Sequence, residues 1–277
     1  MADWTDLLPT AVRAPIAIYK NKSNLNRWWK KLLVYIGTGD TNVVVTGGAG
    51  AGKTVLTTCH HGEVKDHEWK EPDASTMVER KAITVGEWTK VFSVVPGQDI
   101  HAREVALNEA FHKHSNLEGV VHVVDYGYTT IRASVVREKL VKSGIDTIQA
   151  IRDYNLGLEL EEFKRVCDLI ANACANGRGP KWIIIAVNKA DLFLPELDQA
   201  KEYYHPDGSG PFVETLNRLM TRVGSNHLKC RVIPVCPKPK PYEWAGKMLK
   251  PALVTYAEPA DYMKNFVSIM AEVSSGK

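Results

Sequence analysis

The sequence predicts an α/β protein with a mostly parallel central sheet and flanking helices. Three observations carry this. Residues 42–46, 119–125, 182–187 and 231–235 are short runs rich in Val and Ile. They are continuously apolar rather than alternating, as strands buried on both faces require. Helical stretches such as 158–175 and 212–223 fall between them, and strand–helix alternation favours parallel pairing. Finally, 277 residues at 44% hydrophobic and 24% charged are globular values, enough for one large α/β domain.

Other elements follow in order. Residues 1–41 precede the first core strand and read as a helical extension. Within them, Arg27-Trp28-Trp29-Lys30-Lys31 opens an apolar stretch to Ile36 with basic punctuation. A helix docked on the core, its lysine stems covering apolar surface, is favoured over peripheral membrane contact through 27–36, because the stretch runs almost directly into the first strand. Residues 82–85 and 89–94 flank Gly86-Glu87 and predict an antiparallel hairpin at a sheet edge. Residues 129–157 read as an insertion, 195–211 as a loop containing His205-Pro206-Asp207-Gly208, and 259–273 as a closing helix with Met263, Phe266, Val267 and Met270 at helical spacing. Lys238-Pro239-Lys240-Pro241 reads as a stiff solvated connector.

Composition excludes several classes. A formal net charge of +3 does not indicate nucleic acid. Five scattered cysteines without a CxxC pair support neither disulfides nor structural zinc, and a reducing cytoplasm is the expected location. No apolar run approaches the ~20 residues of a membrane span. His60, His61, His67, His101, His112 and His114 form no helical zinc pair beside a carboxylate.

The first chemical motif is Thr46-Gly47-Gly48-Ala49-Gly50-Ala51-Gly52-Lys53-Thr54, which matches GxxxxGK[ST]. Glycines let the chain turn with its N–H groups aimed into one cavity, and the following helix adds its N-terminal donors. Gly47, Gly48, Ala49, Gly50, Ala51, Gly52, Lys53 and Thr54 are therefore candidate phosphate-binding residues, with Lys53 reaching the outer phosphates and the Thr54 hydroxyl ligating Mg²⁺. The apolar strand before the loop and the helix-compatible stretch after it supply the context the motif needs.

The second motif, Asn188-Lys189-Ala190-Asp191, follows a predicted core strand directly. It resembles the NKxD signature of the Ras-like and translation-factor GTPases. The resemblance implies that Asp191 accepts hydrogen bonds from the N1–H and 2-amino groups of guanine. Adenine lacks both donors and would leave a buried carboxylate unpaired. It also implies that Asn188 ties this loop to the phosphate loop and that the Lys189 stem lies along the base. Cys236-Pro237-Lys238 is similar to the family's S-A-K, which adds Cys236 and Lys238 to the guanine-binding candidates; Pro237 lacks the N–H the family's alanine donates.

The hydrolytic parts are expected by the same resemblance. Val94-Val95-Pro96-Gly97-Gln98 stands where the family has DxxG and resembles the PGQ ending of bacterial polarity-type GTPases. Gly97 would sense the γ-phosphate and Gln98 would orient the attacking water, while Val94 replaces the usual aspartate. Ser75-Thr76-Met77-Val78-Glu79, preceding the hairpin, resembles the first switch; Thr76 is the candidate switch threonine and second Mg²⁺ ligand, with Thr57, Thr58 and Ser75 as nearby competitors. Arg103, Arg132 and Arg137 lie in or near the intervening segments, and none is assignable as an arginine finger. The expectation is a Ras-like G domain over 42–277 that binds GTP and GDP, uses Mg²⁺, hydrolyses GTP, and acts as a switch toward a protein effector or activating partner. The alternative is a catalytically weak GTP/GDP-binding module of a larger complex.

Overall fold

The computed structural model describes residues 41–60, 79–85, 88–94, 111, 117–224, 226–253 and 257–274. The 1–40 extension with its 27–36 stretch, and Thr76, Gly97 and Gln98, lie outside the described residues.

Six strands form one sheet: β1 (Thr41–Gly47), β2 (Glu79–Val85), β3 (Trp88–Val94), β4 (Leu117–Val124), β5 (Trp182–Val187) and β6 (Lys229–Pro234), in the spatial order β2-β3-β1-β4-β5-β6. All neighbours pair parallel except β2 and β3, which form the antiparallel edge hairpin with Val85 opposite Trp88. The expected mostly parallel sheet with flanking helices is thus present.

Continuous apolar strands arise because both sheet faces are covered. Val44, Val120, Val124, Ile183, Ile185 and Val232 point into one core with Phe163, Val166, Ile170, Phe212 and Leu216. Those partners belong to helices α3 (Ile148–Ala175) and α6 (Pro211–Val223). Their strand neighbours Val43, Val45, Val121, Val123, Ile184, Ile233 and Val235 point the other way, onto Leu56, Met263, Phe266 and Met270. The second layer is α1 (Lys53–His60) and the closing helix α7 (Ala257–Ser274). Period-two alternation splits each strand between two cores, so neither side of the central strands needs polar residues.

Two expectations are corrected, and one element was not anticipated. Residues 129–157 are largely helical: α2 (Ser134–Lys142) and the first ten residues of α3, a 28-residue helix where the sequence suggested a start near 158. Thr147 caps α3 by accepting from Ala150 N at 3.0 Å. Its early turns lack an apolar stripe because Arg152, Asn155 and Glu159 occupy the inward face. The stretch 195–211 is not all loop. After the short α4 (Ala190–Phe193) and a 3₁₀ turn (Leu194–Glu196), α5 (Leu197–Tyr204) buries Leu197, Ala200 and Tyr204. Pro195 opens this helical run, since proline at a first turn loses no needed donor. Finally, a small hairpin of β7 (Tyr242–Trp244) and β8 (Lys247–Leu249) follows the 238–241 connector. Its turn places Ala245 (φ 47°) and Gly246 (φ 76°) in the left-handed region, and the Trp244 indole donates to Ile145 O at 2.8 Å.

Among the described residues no helix is long and apolar enough to cross a membrane, and no cluster of potential metal ligands occurs. Cys167, Cys174, Cys230 and Cys236 are free thiols.

Candidate functional site

The glycine-rich loop connects β1 to α1 at the carboxyl end of the parallel sheet, where open α/β sheets bind ligands. Gly47, Gly50 and Gly52 have φ of 134°, 82° and 93°. At two of them the missing Cβ matters for the site. At Gly50 it would sit 2.3 Å from Thr130 O, and at Gly52 2.3 Å from Asn188 Nδ2. Added at Gly48, it would meet nothing within 4 Å among the described residues. Ala51 is buried. Lys53, 7% exposed, folds into the loop and donates to Gly47 O and Gly48 O, both at 2.8 Å. Thr54 follows in the first turn of α1, half-buried. A loop of this shape can surround an anion with N–H groups, an ammonium and a helix N-terminus.

The 188–191 segment leaves β5 beside this loop. Asn188 Nδ2 donates to Ala51 O at 2.7 Å, so the two motifs are physically joined. Asn188 Oδ1 is buried and has no hydrogen-bond partner among the described residues. Lys189 adopts the left-handed conformation, φ 60° and ψ 37°. Its ammonium pairs with Asp125 Oδ2 at 2.7 Å and donates to Tyr128 O, Gly50 O (3.2 Å) and Thr130 Oγ1 (3.4 Å).

Asp191 is 1% exposed in the first turn of α4. Cys236 Sγ donates to its Oδ1 at 3.3 Å, and Lys240 N to its Oδ2 at 3.2 Å. Burial raises its pKa, opposed by the Cys236 thiol, the Lys240 amide and the Lys189 charge. A thiol is a weak donor, so Oδ1 of this buried carboxylate is only weakly bonded. The 238–241 connector therefore does more than span: Lys240 carries part of that carboxylate's bonding. Lys238, two residues earlier in the connector, is exposed.

Sequence reasoning overlooked a second set of residues around the turn after β4. Asp125 accepts from Thr129 Oγ1 at 2.7 Å while pairing with Lys189. Tyr242 meets Tyr128 edge-on at 5.5 Å and donates to Thr129 O at 3.4 Å. The available signal was Asp125 itself, a carboxylate ending an apolar run at the same sheet edge as the glycine loop.

Below the loop, Thr46 Oγ1 and His122 Nδ1 lie 2.9 Å apart on neighbouring strands. Burial, helped by the Lys53 charge, lowers the His122 pKa to about 3, so the ring is neutral. Val94 ends β3, paired with Val45.

A mostly parallel sheet with a glycine loop wrapped around a lysine at its carboxyl edge is the P-loop nucleotide-binding fold. No protein-family model matches the chain, and no curated protein matches it. Among solved structures it is similar to the signal recognition particle receptor SRb-GTP/SRX complex from Chaetomium thermophilum: 13% identity, TM-score 0.44, 72% of this chain and 94% of that one. It is similar also to SRb-GDP from the same organism: 15% identity, TM-score 0.42, 73% of this chain and 91% of that one. The mammalian SRP receptor gives 14% identity and a TM-score of 0.40 over 71% of this chain and 91% of that one.

Proposed function

We propose that this chain binds GTP and GDP, hydrolyses GTP to GDP and phosphate, and acts as a molecular switch toward a protein partner. The carrying observation is the 2.7 Å bond from Asn188 Nδ2 to Ala51 O. It joins the glycine loop to the segment that carries the buried Asp191, an arrangement that supports one nucleotide spanning both. In this reading Gly47–Gly52, with Ala49 and Ala51, supply amides to the phosphates. Lys53 leaves its loop carbonyls for the outer phosphates, and Asp191 takes guanine N1–H and the 2-amino group. Asn188, Lys189, Cys236 and Lys238 complete the base end. The Cys236 thiol orients the Asp191 carboxylate, and Lys238 takes over from Pro237, which has no N–H to give.

Water would attack the γ-phosphate in line. Lys53 and the loop amides stabilise the charge that develops, and Gln98 orients the water; Gly97 and Thr76 close on the γ-phosphate. Bound Mg²⁺ would neutralise charge on the β- and γ-phosphates. Thr54, in the first turn of α1 beside Lys53, fits one ligand position, and Thr76 is the proposed second. Val94 offers no carboxylate where the family has one. That observation favours a second reading: a catalytically weak GTP/GDP-binding module of a larger complex. Five scattered cysteines keep the cytoplasm as the proposed location.

The deciding experiment identifies the nucleotide that co-purifies with the full chain and follows phosphate release from GTP over many turnovers. Steady release, lost in Lys53→Ala and Gln98→Leu, is expected for the switch. Guanine nucleotide retained without turnover selects the module. A preparation that neither retains nor binds guanine nucleotide refutes both.

A further inference from the structure

We infer that one face of α3 positions the base-end lysine: Arg152, Asn155 and Glu159 shape the turn at 125–130, and that turn holds Lys189. This rests on the guanine-nucleotide reading above and adds positioning residues to it.

The three side chains sit at i, i+3 and i+7, hence on one helix face, and are 6%, 1% and 5% exposed. A helix facing a core ordinarily presents apolar residues there, because a buried polar group is costly unless it is bonded. Here each bonds the backbone of one turn, while Arg152 also pairs with Glu196 at 2.7 Å and Glu159 Oε2 also accepts from the Tyr204 hydroxyl. Glu159 Oε1 accepts from Asp125 N at 3.3 Å and Gly127 N at 2.9 Å. Asn155 Nδ2 donates to Gly127 O at 2.8 Å and Thr129 O at 3.4 Å. Arg152 Nε donates to Tyr126 O at 3.3 Å, and its guanidinium lies 4.1 Å from the Tyr126 ring centre and 5.2 Å from that of Tyr128.

The turn needs such restraint. Tyr126 has φ 52° and Gly127 φ 80°, and left-handed backbone is uncommon for a bulky residue. A Cβ on Gly127 would lie 2.6 Å from Arg152 O, so turn and helix are in close contact. The opposite side of the same turn delivers the Asp125 carboxylate, Tyr128 O and Thr130 Oγ1 to the Lys189 ammonium. Thr130 O also abuts Gly50 of the phosphate loop. Nearly every acceptor around Lys189 is thus placed by a turn that α3 grips from behind. A purely structural role would require no such convergence on one lysine.

The test is the dissociation rate of methylanthraniloyl-GDP, with Mg²⁺, from the full chain, its Asn155→Ala, Arg152→Met and Lys189→Met variants, and the two doubles with Lys189→Met. Thermal unfolding of each unliganded protein is measured alongside. Asn155→Ala should speed release roughly five- to tenfold, the loss of two modest hydrogen bonds. Arg152→Met, whose partner Glu196 is 42% exposed and can rehydrate, should speed it roughly twofold to threefold. In the Lys189→Met background neither should add anything, because residues acting through a common partner are non-additive. Wild-type rates in both single variants, or effects that multiply with Lys189→Met, overturn the inference. If Asn155→Ala does not fold, the Arg152→Met cycle decides. Wild type that binds no GDP removes the functional reading and this inference together, whereas wild type that binds GDP with multiplying effects removes the inference alone.

Discussion

Replacing Gly52 with alanine puts one methyl group where the two halves of the site meet. Gly52 has φ 93°, and its new Cβ would lie 2.3 Å from Asn188 Nδ2, the atom that donates to Ala51 O. Two costs follow. A non-glycine residue held at such a φ costs about 1–3 kcal/mol. Pushing the 3%-exposed Asn188 amide off its acceptor costs about 1 kcal/mol more. The total is roughly 2–4 kcal/mol, and it must appear somewhere. If the loop keeps its shape, the loss falls on folding. If the loop relaxes, it falls on GDP affinity, as a weakening of about 30- to 1,000-fold. Denaturant unfolding of the unliganded protein and calorimetric GDP titration, read together, capture both. Gly48→Ala is the control: its Cβ meets nothing within 4 Å among the described residues, so its stability should stay within about 0.5 kcal/mol of wild type. Gly52→Ala matching wild type in both measurements would refute the joined-loop geometry.

Asp191→Asn should weaken GDP binding roughly a hundredfold while weakening ADP binding little, because it converts an acceptor of two hydrogen bonds into a mixed group; competition titrations check it. His122 is held neutral, its folded pKa of about 3 lying below the usual 6.5. Its stabilisation is therefore present above pH 6.5 and lost as pH falls from there toward 3. His122→Gln should lack that part of the acid slope in unfolding free energy. Glu159 is shifted the other way, raised by burial and then by the nearby Asp125 carboxylate, against the Tyr204 hydroxyl and Gly127 amide. Its stabilisation is present below pH 4.5 and declines as pH rises above that value. Glu159→Gln, a near match for the neutral acid, should gain on wild type with rising pH in the same unfolding measurements.

Much of this was readable from local chemistry. The strands were visible because a sheet covered on both faces makes them continuously apolar, and Val43, Val44 and Val45 do divide between two cores. The glycine loop was readable because its motif is contiguous and Gly47, Gly50 and Gly52 each answer a backbone need. Longer-range relations were hidden. The early turns of α3 looked irregular because Arg152, Asn155 and Glu159 break the apolar stripe, and their partners are backbone atoms some 26–34 positions earlier. Nothing in Lys238-Pro239-Lys240-Pro241 announces that an amide there serves Asp191, 49 positions back.

By itself, then, the sequence determined the sheet, the glycine loop and the residue types on which the proposed purine site rests, since those depend on periodicity and on short contiguous motifs. Only the tertiary structure decided that Asn188 locks onto Ala51, that Asp125 holds Lys189, and that a helix face grips the turn between them. The physical reason is that hydrogen bonds of a few ångströms join residues up to 137 positions apart, a proximity set by the parallel stacking of β1, β4 and β5 rather than by any local pattern.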